Sequence, residues 1–244
     1  MLGGSACLLA AIVGQLRGQA AGPGVGAGAS QPAPMLQARP RPLALDPAKT
    51  AVIVVDMTND YGSKGGMFDL MGLDLAGIQK AVAPTARVLA AARKAGMKII
   101  YLKMAHKVAS PGPDGRQHTV LIRDDWNTEV LPDLKPAPGD PQIYKPRFSG
   151  FFKTELDDVL REMGVKQLVF TGCTTSVCVE STLRDAAFRD YACVLLADCT
   201  AEPCGAEFPR SNHEATLYLI ENRFGYVSDS AEFQRTLAAM TAPH

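Results

Sequence analysis

Residues 51–55 read Ala-Val-Ile-Val-Val and run directly into Asp56. Five consecutive apolar, mostly β-branched residues show no alternation of polar and apolar positions. A strand made from them is therefore buried on both faces, as in a parallel sheet covered by helices. The rest of the chain supplies that setting. Met97–Leu102, Ile143–Lys145, 167–172 and Cys193–Ala197 read as further strands, and Tyr226–Ser228 as a short edge strand. Helices are expected over about Leu75–Ala95, Leu156–Met163, the stretch after Cys178, and Ser211–Asn222, with Gly96 and Gly164 as stops for the first two. The polar, Pro- and Gly-containing stretch Lys103–Asp124 reads as a long loop over the crevice. This alternation predicts a single-domain, doubly wound α/β sandwich with a mainly parallel sheet. A length of 244 residues with 47% hydrophobic content suits one such domain.

Open sheets of this kind bind ligands at the carboxyl ends of their strands, and three chemically capable residues are expected there. Asp56 follows the first strand and Lys145 ends another, where Pro146 stops the ladder. Cys178 lies in Thr171-Gly172-Cys173-Thr174-Thr175-Ser176-Val177-Cys178, between a strand and a helix marked by Val179, Leu183 and Ala186 or Ala187. A helix N-terminus presents unpaired N–H groups and a positive dipole end, both of which favour a thiolate. Each residue also has an ordinary reading: a buried structural cysteine, a capping aspartate, a solvated strand-end lysine. Convergence on one crevice is what would separate the two.

The segments VVDMTNDY, YKPRFSGFFKTELDDVL and VFTGCTTSVCVESTLRDAAFRDY carry a resemblance to the isochorismatase-like cysteine hydrolases. The resemblance covers about residues 45 to 240, and the chain is most similar to the ureidoacrylate amidohydrolase members. It implies a Rossmann-like six-stranded sheet and a catalytic triad of Asp56, Lys145 and Cys178. Cys178 would be the nucleophile, Asp56 the proton carrier, and Lys145 the cation that favours thiolate. An oxyanion hole from the N–H groups of Thr174 and Cys178 is implied as well, with a cis peptide at Cys173–Thr174. The substrate would be a small ureido or amide compound, with biuret-like, nicotinamide-like and antibiotic amides as alternatives. The presence of Cys178 argues against vinyl-ether cleavage, which some members lacking this cysteine perform. Substrate contacts are expected among Asn59, Tyr61, Trp126, Arg147, Phe148 and Ser149, with Phe151 and Phe152 nearby. No histidine lies between Asp56 and Lys103, where metal-binding relatives carry ligands, so no metal and no cofactor is expected. Readings from other classes are a redox protein using Cys173 and Cys178, and an idle scaffold of the same fold.

Twenty-five basic and 25 acidic residues cancel, without a long basic run, which gives no reason to expect nucleic acid or an anionic membrane as partner. The six cysteines form no CxxC pair, which excludes the common zinc patterns, and a disulfide framework is not expected. Residues 1–45 hold no acidic residue and are rich in Ala, Gly and Pro. They are expected to be an extension without fold, and residues 46–242 the hydrolase domain. The apolar run Ala6–Val13 suits the h-region of an export signal lacking its positive start, so a periplasmic location is favoured over a cytoplasmic one that begins at Met35. Family members commonly form dimers or tetramers, which the resemblance extends to this chain.

Overall fold

The computed structural model describes residues 35–111, 117–122 and 125–241. Six strands form the central sheet: β1 (Thr50–Val55), β2 (Lys98–Met104), β3 (Gln142–Lys145), β4 (Gln167–Cys173), β5 (Ala192–Ala201) and β6 (Tyr226–Ser228). All pairings in this sheet are parallel, and the order is β3-β2-β1-β4-β5-β6. The chain winds outward from β1 in one direction, then returns to start β4 on the other side of β1. The β1/β4 boundary is thus the point where strand order reverses and where a crevice opens.

Burial of β1 explains why its residues are apolar without alternation. Val52 and Val54 face a layer made by α1 (Ala76–Lys94) and α5 (Ser230–Thr241), through Ile78, Ala81, Val88, Leu89, Phe233 and Leu237. Ala51, Ile53 and Val55 face the opposite layer, α2 (Leu156–Glu162), α3 (Glu180–Ala187) and α4 (Asn212–Arg223), through Leu156, Leu160, Leu183, Ala186 and Ile220. Every residue of the strand is buried. At the strand-order reversal β4 passes so close to β1 that a Cβ on Gly172 would sit 2.0 Å from Val55 O, and Gly172 has φ +118°. No other residue type fits there.

Four expectations are corrected. The stretch 103–124 is not simply a loop: Lys103 and Met104 extend β2, and His106–Pro111 pairs antiparallel with Gln117–Ile122 in a two-stranded ribbon. The β-prone run Thr119-Val120-Leu121-Ile122 is the sequence signal for it. Strand β5 continues to Ala201, past a register shift opposite Phe170 and Gly172 that carries pairing on to Gly172–Thr200 and Cys173–Ala201. Helix α5 is an addition to the expected set, although Phe233, Leu237 and Met240 keep helical spacing and Asp229 caps it by accepting the Glu232 N–H at 2.8 Å. Finally, the extension without fold ends before residue 45. Leu36 is fully buried, and the segment 37–39 covers the edge strand β6, with Arg39 N–H donating to Val227 O at 2.9 Å and Val227 N–H returning to Arg39 O at 3.0 Å. The apolar run Ala6–Val13 lies outside the described residues.

Candidate active site

Asp56 is the residue on which β1 turns away from the sheet. Its N–H still donates to Leu102 O at 2.9 Å, but φ is then +51°, a left-handed conformation that Asp tolerates better than most residues. The main chain therefore leaves the ladder one rung early. The side chain takes over that rung: Oδ1 accepts the Met104 N–H at 2.7 Å. This aims the other carboxylate oxygen, Oδ2, into the crevice.

There Oδ2 meets Lys145. The lysine side chain is wholly buried, with Nζ 2.7 Å from Asp56 Oδ2, 3.3 Å from Cys178 Sγ and 3.5 Å from Arg147 O. An ammonium has three N–H donors, and three acceptors surround this one. Burial alone would lower the lysine pKa, but Asp56 and then Cys178 outweigh it, so the group is held above its ordinary value and stays charged.

Cys178 is buried within a π-helical turn, Thr175–Val179, that leads into α3. The turn is drawn tight at its start, where Val177 N–H and Val179 N–H both donate to Thr174 O at 3.2 Å. Thr174 is extended, with φ −88° and ψ 150°, and the Cys173–Thr174 peptide is cis. The thiol itself behaves differently from what a helix end and a lysine suggest. Burial, then the Asp56 charge, push its pKa well above the ordinary thiol value, and Lys145 only partly offsets them. Burial thus favours the protonated thiol, which sits beside the charged Lys145.

The structure thus brings Asp56, Lys145 and Cys178 together, and Thr174 lies one residue before the turn that carries the thiol. Three of the expected substrate-contacting residues, Asn59, Arg147 and Ser149, have hydrogen-bond partners within the protein. Asn59 Nδ2 donates to Trp126 O at 2.8 Å and its Oδ1 accepts from Ser63 Oγ at 2.7 Å, so this side chain ties two loops together. Ser149 bonds Asp185 on α3 and accepts the Phe151 N–H at 3.2 Å. Phe151 packs against Tyr191 and under Arg189. Arg147 donates back to Pro146 O at 2.8 Å, leaving its guanidinium at the exposed surface with Phe148 and Phe152. Trp126 is 47% exposed. Tyr61 remains close to the site: burial, then Asp56, hold its hydroxyl far above the ordinary value, so it is a neutral phenol.

Several contacts around the thiol have no legible signal in the sequence. Thr182 accepts Gly150 N–H at 3.0 Å and donates to Cys178 O at 2.7 Å, which joins the Lys145 loop to the thiol's own carbonyl. Thr175, Ser176, Thr200, Glu202 and His213 form a further polar cluster behind the turn. Only pairing of β5 through Thr200 and Ala201, which the sequence does not reveal, brings them there. Cys173, also buried, donates to Asp56 O at 3.1 Å. Among the described residues no three His, Cys, Asp or Glu side chains are grouped as metal ligands.

A nucleophile, a carboxylate and a fixed cation in one buried cluster can carry covalent acyl transfer. Known proteins match both the sequence and this fold. The isochorismatase domain family model matches residues 50–232. A ureidoacrylate amidohydrolase RutB of Caulobacter segnis is 42% identical over 226 aligned positions, spanning 84% of this chain and 93% of that one. The enzyme of the same name from Variovorax paradoxus is 42% identical over 232 positions, 86% and 90% of the two chains. Among solved structures, a cysteine hydrolase from Pseudomonas syringae pv. phaseolicola superposes with a TM-score of 0.68 at 31% identity, covering 80% of this chain and 95% of its own. An N-carbamoylsarcosine amidase from Thermoplasma acidophilum gives 0.58 at 28%, covering 75% and 96%.

Proposed function

Because the chain belongs to the isochorismatase family, we propose that it is a cysteine-dependent amidohydrolase cleaving the C–N bond of a small linear ureido or amide compound, ureidoacrylate first among them. The observation that carries the reading is the Lys145 ammonium shared between Asp56 Oδ2 at 2.7 Å and Cys178 Sγ at 3.3 Å. With the thiol pKa raised, attack on the carbonyl carbon proceeds as the Cys178 proton passes to Asp56. Lys145 compensates whichever of the two neighbours is negative, so little charge has to be rearranged in a buried site. The tetrahedral oxyanion is received by the Thr174 and Cys178 N–H groups. Collapse expels the nitrogen, which takes the proton from Asp56 and leaves a thioester or thiocarbamoyl enzyme. Water then attacks this intermediate, giving its proton to Asp56, and the thiol is restored on release of the acid.

The test is ammonia release from ureidoacrylate, biuret, N-carbamoylsarcosine and nicotinamide, with Cys178→Ala as the blank. Turnover of a linear ureide, absent in the blank, is expected. No release above the blank from any of the four would reject the proposal. A homodimer or homotetramer belongs to the same reading, and light scattering showing a monomer at micromolar concentration would remove it. So does export directed by the Ala6–Val13 run, which cell fractionation with N-terminal sequencing decides. Within the described residues no helix is long and apolar enough to cross a membrane.

A further inference from the structure

The segment Thr174–Cys178 is held from behind by side chains with no part in the proposed chemistry. Thr175, fully buried, places Oγ1 2.9 Å from Thr200 Oγ1 and 3.0 Å from His213 Nδ1. One residue on, Ser176 N–H donates to Glu202 Oε2 at 3.1 Å, the Ser176 hydroxyl donates to the same oxygen, and Glu202 Oε1 accepts Cys204 N–H at 3.0 Å. Behind these groups lies a cavity of about 560 Å³ between α1 and β5, bordered by Gly77, Ala81, Pro84, Thr200, Glu202 and His213. On that side the turn is tied to β5 and α4 by these side-chain hydrogen bonds.

The anchors are well founded. Thr200 and Ala201 pair with Gly172 and Cys173, the rungs from which β4 enters the turn, and Glu202 follows them directly. His213 stands in the first turn of α4, whose start is set by a Ser211–Glu214 capping box. A carboxylate beside a developing oxyanion is electrostatically unfavourable, so Glu202 contributes as an acceptor for an otherwise unpaired N–H at the turn's start. We propose that Glu202, His213 and Thr200 are positioning residues that hold the Thr174–Ser176 turn so that the Thr174 and Cys178 N–H groups can receive an oxyanion. This rests on the oxyanion role assigned to those N–H groups above.

Two probes of Cys178 separate this role from plain structural support. p-Nitrophenyl acetate acylates a thiol through a tetrahedral oxyanion, forming a thioester and releasing p-nitrophenol. Iodoacetamide alkylates the same sulfur by displacement of iodide, with no oxyanion on the way. Glu202→Ala and His213→Ala should slow acetylation roughly 10–100-fold. Alkylation should change less than about threefold, since its displacement needs no such donors. On the ureide turned over by the wild type, kcat should fall with KM nearly unchanged. Glu202→Gln and His213→Asn keep an acceptor at the Oε2 and Nδ1 positions and should recover most of the acetylation rate. Thr200→Val carries the same expectation should either alanine variant not fold. Parallel loss of both reactions, or no loss of acetylation, would overturn the proposal. A wild type silent on every ureide but acetylated by the ester would reject the amidohydrolase reading and leave this test intact.

Discussion

Replacing Asp56 with asparagine should separate the reactivity of Cys178 from turnover. The amide side chain can still accept the Met104 N–H through its carbonyl oxygen, so the rung that Asp56 Oδ1 supplies at 2.7 Å survives. What disappears is the negative charge. The legs from Lys145 Nζ, 2.7 Å to Asp56 Oδ2 and 3.3 Å to Cys178 Sγ, bound the carboxylate–sulfur separation at about 6 Å. At an effective dielectric of about 20, two negative charges no further apart than this repel by about 3 kcal/mol or more. Removing the repulsion lowers the thiol pKa by about 2, and Lys145, deprived of its carboxylate, takes the thiolate as counter-ion. The thiolate fraction near neutral pH then rises about 100-fold. A less basic thiolate is also a poorer nucleophile, and a Brønsted coefficient of about 0.4–0.5 returns roughly one factor of ten. Alkylation of Cys178 by iodoacetamide at about pH 7 should therefore quicken about tenfold, with its pH midpoint moved down. Hydrolysis should fall by at least about a hundredfold, because no group remains to protonate the departing nitrogen or activate water. The measurement is iodoacetamide kinetics from about pH 6 to 10 alongside steady-state turnover. If the variant is alkylated more slowly than wild type, Asp56 is not what raises the thiol pKa, and the proton-carrier assignment fails.

Cys178→Ser should lose at least about a thousandfold in kcat, since a neutral hydroxyl beside an Asp–Lys pair is a much weaker nucleophile; retention of activity would exclude thiol catalysis. Treatment with a chelator should leave wild-type turnover unchanged, and loss restored by added zinc or manganese would point instead to a metal-dependent mechanism. Gly172→Ala puts a Cβ 2.0 Å from Val55 O at a φ of +118° and should destabilise the fold by more than about 3 kcal/mol in urea unfolding; a change under about 1 kcal/mol would mean the β1–β4 approach is looser than observed. Stability should also decline above about pH 9. Burial raises the pKa of Cys173, Cys178, Cys193 and Cys199, so the folded state keeps protons that the unfolded chain has lost. Each such thiol contributes stability fully present below its unfolded pKa and lost at about 1.4 kcal/mol per pH unit as pH rises towards the folded value. A denaturant midpoint that stays flat from about pH 8 to 10.5 would contradict this.

The layered architecture follows from the chain's own pattern, as do the places where chemistry gathers. A run such as Ala51–Val55 leaves almost no freedom, because unalternating apolar residues need cover on both faces, and the helical stretches that provide it are periodic. Asp56, Lys145 and Cys178 can be marked in advance because strand ends and a strand-to-helix turn are local features. Helix α5 is legible too, in Phe233, Leu237 and Met240, but its pattern is short and easily passed over. The protonation state of the thiol, by contrast, is settled only in the folded protein. Helix-end and lysine effects argue for a thiolate, yet desolvation and the Asp56 charge win once all three groups are buried together, and burial is not a property of adjacent residues. The same holds for the pocket walls. Asn59 and Ser149 are polar residues next to site motifs, but their hydrogen bonds run to Trp126 and Asp185, partners 67 and 36 residues away. Long-range pairing likewise assembles Glu202, His213 and Thr200 behind the turn, because the register shift that carries β5 on to Ala201 exists only where two strands meet.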